Sequence, residues 1–166
     1  MKGALRAANV LSWFNLFYWG IPLAMGLLSS LSAFNPLVLV VFVLLCCIPL
    51  HAYAALQLHK SIRRPEIKLS HQTPAGIRFV GLIAMLFGVL MILFGVGLLR
   101  YAPDVLKMLQ EQKADFESTG MGTMTVAKLR QIGIGCLVPG SITVVNVILN
   151  LRLLRWYYLV HQSDAS

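Results

Sequence analysis

Four long apolar stretches alternate with shorter polar ones along the chain. The most uniform of them, FVGLIAMLFGVLMILFGVGLL over residues 79–99, contains no charge, Pro, Asn, Gln, Ser or Thr. At ~1.5 Å rise per residue it makes about 30 Å of helix, the thickness of a bilayer's hydrocarbon core. The other three stretches have similar length, so the pattern predicts membrane spans over approximately 10–31, 37–57, 79–99 and 131–151. Only Ser32-Ala33-Phe34-Asn35-Pro36 joins the first two, and so short a connection forces an antiparallel hairpin. Between the third and fourth spans the pattern changes. Val105, Leu106, Leu109 and Phe116 fall broadly on one helical face, with Lys107, Glu111 and Asp115 elsewhere. Pro103 suits a first turn and Asp104 its positive end, predicting an amphipathic surface helix over approximately 103–117. Gly120-Met121-Gly122 ends it, and Thr123 or Thr125 can cap the fourth helix. The expected fold is an all-α, polytopic integral membrane protein. It forms one transmembrane domain, a four-transmembrane-helix bundle with that short surface helix between spans 3 and 4.

Each span carries its own irregularity. The first holds Trp13, Phe14, Phe17, Tyr18 and Trp19, a set suited to the membrane interface or to a neighbouring subunit. Lys2 and Arg6 ahead of an apolar stretch resemble a secretory leader, but the stretch exceeds a leader's ~7–15 apolar residues, favouring an uncleaved span. Pro22 frees the carbonyl of Tyr18 and is expected to kink the first helix, Pro49 frees the carbonyl of Leu45, and Pro139 stands within the fourth span. In the third span Gly81, Gly88 and Gly95 recur every seven residues with Ala84 between the first two. Heptad spacing keeps them on one side of a slightly supercoiled helix, a seam where another backbone can approach closely.

Composition and charge settle the class and an orientation. The 166 residues are 58% hydrophobic and only 12% charged, about half the charged content of a soluble domain. A net charge of +8 would suggest nucleic acid in a soluble protein. Here the charges lie in short loops, so they are read as topology and as contacts to anionic lipid head groups, with no nucleic acid partner. The N-terminus, the 58–78 loop and the C-terminus hold nine Lys and Arg against Glu66 and Asp164. The 100–130 segment holds five against four acidic residues. The positive-inside rule therefore expects both termini to be cytoplasmic and the 101–130 loop to lie on the outer side. Lys60, Arg63, Arg64, Lys68, Arg152 and Arg155 are the candidate head-group or partner contacts.

Candidate chemistry is confined to a few polar residues within the spans. Pro139, Thr143, Asn146 and Asn150 form one stripe of the fourth helix at spacings of four, three and four. Asn15 and His51 join Asn146 at one depth, each ~7–9 Å beneath the basic end of its helix. Asn15, His51, Thr143, Asn146 and Asn150 are thus the candidate polar layer, either interhelical hydrogen bonds or a cavity. No carboxylate lies in any span, which counts against a carboxylate-coupled transporter. His51 has no second histidine three or four residues away, and Cys46, Cys47 and Cys136 form no CxxC, so neither metal nor cofactor is expected. Ser12, Ser29, Ser30 and Ser141 suggest no triad, so no catalytic residue is assigned and an enzyme is the least favoured class. The expected function is association, as a homo-oligomer or an accessory subunit of a membrane complex. The alternative is a small transporter or channel lined by the polar stripe.

Overall fold

The computed structural model describes residues 2–30, 36–67, 69–70, 72–111 and 124–163. Helix α1 spans Lys2–Ser30, α2 Pro36–Leu45, α3 Cys47–Arg63, α4 Gln72–Ala75, α5 Gly81–Glu111 and α6 Val126–Ser163. A π-helical turn, Gly76–Val80, carries α4 into α5, and no strand occurs among the described residues. Among the described residues four helical stretches are long and apolar enough to cross a membrane: Lys2–Leu27, Val40–Arg63, Gln72–Glu111 and Val126–Val160.

The helices run further than their apolar cores, for local reasons. α3 continues past 57 to Arg63, because Lys60 and Arg63 end the helix on its negative pole and their apolar stems tolerate an interface. α1 begins at Lys2 and runs through Pro22 without a second helix being defined there. The second span is broken at Cys46, four residues after Phe42 and three before Pro49. Pro49 has no N–H for the carbonyl of Leu45, and the chain closes the gap with Cys46 N–H to Phe42 O at 2.9 Å and Leu50 N–H to Cys46 O at 3.1 Å. The third span starts at Gln72, earlier than 79, because Pro74 is accommodated in its first turn.

The segment read as a separate surface helix is continuous with α5. The two join across a kink at Tyr101 (φ −111°, ψ 18°), two residues before Pro103. Its described part ends at Glu111, and 112–117, Phe116 included, lie outside the described residues. Val105, Leu106 and Leu109 pack with Val126 against buried Leu98, Ala102 and Leu129, so this apolar face is at least partly occupied by protein. Thr125 is the cap of α6, its Oγ1 accepting from Lys128 N–H at 3.2 Å.

The chain forms two compact units. The first comprises residues 1–87 and 142–166. Its core has two parts: Ala8, Leu58, Ile77, Leu153 and Leu154 in one, Ile48, Ala84 and Val147 in the other with Trp19 and Phe87 packed on it. α1 and α3 are extensively packed, and α3 also meets the π turn. The second unit, 88–141, is a hairpin of the later part of α5 and the first part of α6. There Gly95 faces Gly133, and Gly140 faces Gly88, backbone against backbone. A Cβ on Gly95 would stand 2.7 Å from Gly133 O, and one on Gly140 would stand 2.9 Å from Gly88 O. Gly133 and Gly140 share the seven-residue spacing of Gly88 and Gly95, so two heptad glycine pairs meet in antiparallel.

Candidate functional site

The polar stripe of α6 faces inward in the first unit. Thr143, Asn146 and Asn150 are all buried, as are Asn15 and Ser12 of α1 and His51 and His59 of α3. On α1, Ala8, Ser12 and Asn15 recur at spacings of four and three, so one stripe carries both a small residue and two polar ones. These seven polar residues do not form one layer. They divide into a network, a pair and an isolated ring.

The network is Ser12, His59, Asn146 and Asn150. Ser12 Oγ donates to Asn146 Oδ1 at 3.0 Å. Asn150 Nδ2 donates to the Asn146 carbonyl at 2.9 Å and to Asn146 Oδ1 at 3.0 Å, with Ser12 Oγ at 3.4 Å. With its amide nitrogen so committed, Asn150 turns Oδ1 toward His59 Nε2, 2.7 Å away. Oδ1 can only accept, so Nε2 carries the proton and Nδ1 of His59 keeps its lone pair. Asn146 Nδ2 and His59 Nδ1 are left without partners among the described residues. The separate pair is Thr143 Oγ1 donating to Asn15 Oδ1 at 3.3 Å.

His51 stands apart from both. Its ring lies on Gly81, where a Cβ would fall 2.8 Å from Cε1 and Nδ1, so only glycine at 81 admits it. Neither ring nitrogen makes a well-formed hydrogen bond among the described residues, although the backbone of Ile77 lies within reach of the ring. The side chains around it are apolar: Ile48, Ala84 and Val147 are buried nearby on α3, α5 and α6. Gly81 therefore makes room for a side chain, whereas Gly88 and Gly95 make room for a backbone.

Ser12 and His59 are the members that sequence reasoning left out. Residue type marks Ser12 only as a possible nucleophile, and the basic 58–78 stretch takes in His59. The available signal was spacing: Ser12 lies three residues before Asn15, and His59 eight residues, about two turns, after His51. Of the basic candidates, Lys60, Arg63, Arg64, Arg152 and Arg155 are all exposed, and Lys68 lies outside the described residues. Arg78 is held over the ring of Tyr158 at 5.6 Å, fastening the start of the third span to the end of the fourth. Lys60, Arg63 and Arg64 border a groove between α1 and α3 that His59 also lines.

The arrangement is a hydrogen-bonded polar interior, closed by amides and one serine, which touches a basic surface groove through His59. Within it Ser12 Oγ donates to Asn146 and His59 Nε2 is turned to Asn150, so no hydrogen bond links that hydroxyl to the imidazole. No protein-family model, curated protein or solved structure matches the chain, and its function is read from this geometry.

Proposed function

We propose that the chain is a non-enzymatic integral membrane bundle that acts through association, as a homo-oligomer or as an accessory subunit of a larger membrane complex. One observation carries this reading. α1 presents a stacked aromatic row on its outer side: Trp13, Phe14, Phe17 and Tyr18 are 45, 38, 55 and 44% exposed. Trp13 stacks on Phe17 at 5.4 Å and Phe14 on Tyr18 at 5.1 Å. Rigid, ordered aromatic surface contributes contact area at small entropic cost. The polar side chains of α6, Asn146 Nδ2 excepted, meanwhile bond within the chain, as expected of interhelical glue. Extracted in mild detergent, the wild type should have a protein mass above the 18.4 kDa of one chain, or co-purify with another membrane subunit. The triple variant Phe14→Leu, Phe17→Leu, Tyr18→Leu should be monomeric and alone with an unchanged melting temperature. A wild type that is itself a lone monomer would overturn the reading.

A transport path along Thr143, Asn146 and Asn150 is the second reading, and a different observation favours it. Among the described residues Asn146 Nδ2, both His51 ring nitrogens and Trp19 Nε1 are buried without well-formed hydrogen bonds, and buried orphans of this kind ordinarily have water or a ligand. The orientation belongs to the same proposal: both termini cytoplasmic, the 101–130 loop outside, and the surface helix resting on the outer interface. One labelling experiment addresses both. With Cys46, Cys47 and Cys136 replaced, an impermeant thiol reagent should reach a cysteine at 120 only from outside and one at 166 only from the cytoplasm. A cysteine at 146 should stay unlabelled if the polar residues are glue, and its rapid labelling from water would favour the path.

A further inference from the structure

The groove between α1 and α3 is graded along the helix axes. Its more apolar end is formed by Trp13 and Leu56, one on each helix, with Gln57 beside Leu56. Toward the helix ends come Asn9 and the buried His59. Beyond them stand Lys60, Arg63 and Arg64, all exposed. From Leu56 to Arg63 the rise is about 10 Å, close to the depth over which a phospholipid passes from acyl chain to phosphate. No carboxylate pairs with any of the three cations among the described residues. The groove encloses about 460 Å³, enough for a head group and the start of its chains.

From this grading we infer that the α1–α3 groove is a binding site for the head group of an anionic phospholipid, its phosphate against Lys60, Arg63 and Arg64 and its glycerol region against His59 and Asn9. Two guanidiniums and an ammonium supply the donors that phosphate oxygens need. His59 and Asn9 form the polar wall between the cations and the apolar end of the groove. Trp13 and Leu56 flank the first methylenes. A free phosphate ion would use the cations and leave the apolar part of the groove empty, which is why the lipid is favoured. The occupant also touches the interior: His59 is bonded to Asn150, so the site is continuous with the polar network.

The test is a titration of phosphatidylglycerol into the purified full-length chain in phosphatidylcholine-containing micelles, read as melting temperature and, independently, as lipid adducts by native mass spectrometry. Phosphatidylglycerol should raise the melting temperature and appear as a discrete adduct, whereas added phosphatidylcholine should do neither. Lys60→Gln with Arg63→Gln and Arg64→Gln should weaken the apparent affinity on the order of a hundredfold, about a kcal/mol per charge. Its melting temperature in phosphatidylcholine alone should match the wild type, showing that the fold is intact. Arg152→Gln with Arg155→Gln, at the end of α6, should leave the affinity nearly unchanged. Three results would each overturn the inference: no preference for phosphatidylglycerol, equal loss in the α6 variant, or a full effect from inorganic phosphate alone.

Discussion

Gly95→Leu should be among the most destabilising single substitutions in this chain, while Gly97→Leu, two residues away on the same helix, should be tolerated. The contrast follows from what each new side chain would meet. At 95 even the first carbon stands 2.7 Å from Gly133 O, 3.0 Å from Leu137 N and 3.1 Å from Leu137 Cβ. Two of those are backbone atoms of a helix and cannot turn aside, so the hairpin itself must open. At 97 nothing lies within 4 Å. Overpacking of a core commonly costs ~1–3 kcal/mol, and a clash with backbone belongs at or beyond the upper end. In lipid the loss has no hydrophobic compensation, since apolar side chains gain nothing by leaving one another for acyl chains. Melting in detergent should therefore show Gly95→Leu far below the wild type and Gly97→Leu close to it. Gly95→Ala should already be costly, because the contact is made by Cβ. Equal melting temperatures for the two leucine variants would refute the backbone contact.

The second large effect is expected at Asn150. Among the described residues its Oδ1 is the sole partner of His59 Nε2, at 2.7 Å, and its Nδ2 holds Asn146. Asn150→Leu keeps a similar volume and strands the imidazole N–H, a loss of about 2 kcal/mol for one buried unpaired donor. Once Asn150 is gone, removing His59 as well deletes the stranded group. The two substitutions should therefore be strongly non-additive, with a coupling on the order of 1.5 kcal/mol. That is near the top of what interhelical bonds give in membrane proteins. His51→Leu supplies the contrast. Neither of its ring nitrogens makes a well-formed hydrogen bond among the described residues. An apolar replacement of similar size should be neutral or stabilising, and additive with Asn150→Leu to within ~0.5 kcal/mol. A double-mutant cycle in which His51 couples to Asn150 as strongly as His59 does would show that the network is drawn wrongly. A loss of assembly or transport in His51→Leu with intact stability would give the orphaned ring a functional role.

The helices are legible in the residues alone, because in a membrane every backbone N–H and C=O is satisfied within its own helix. A run such as 79–99 is then readable from composition and length alone. Small residues at heptad spacing, and an inward face for Thr143, Asn146 and Asn150, were equally legible, since helical period fixes which residues share a side. Helix ends were less legible. His59 was assigned to a loop because Lys60 and Arg63 surround it, although long cationic side chains let a helix continue to its interface.

The tertiary structure alone decided which stripes meet. Nothing in the spacing of Gly81, Gly88 and Gly95 says that the first shelters the ring of His51, whereas Gly95 lies against Gly133 and Gly88 against Gly140. Nor does equal depth say that Asn15 turns to Thr143 while Asn146 takes Ser12, or that His51 joins neither. Depth is one coordinate, set by the rise of each helix. A hydrogen bond also needs the rotation of each helix about its axis and the choice of neighbour. Those two are fixed only when all the packed faces are satisfied together.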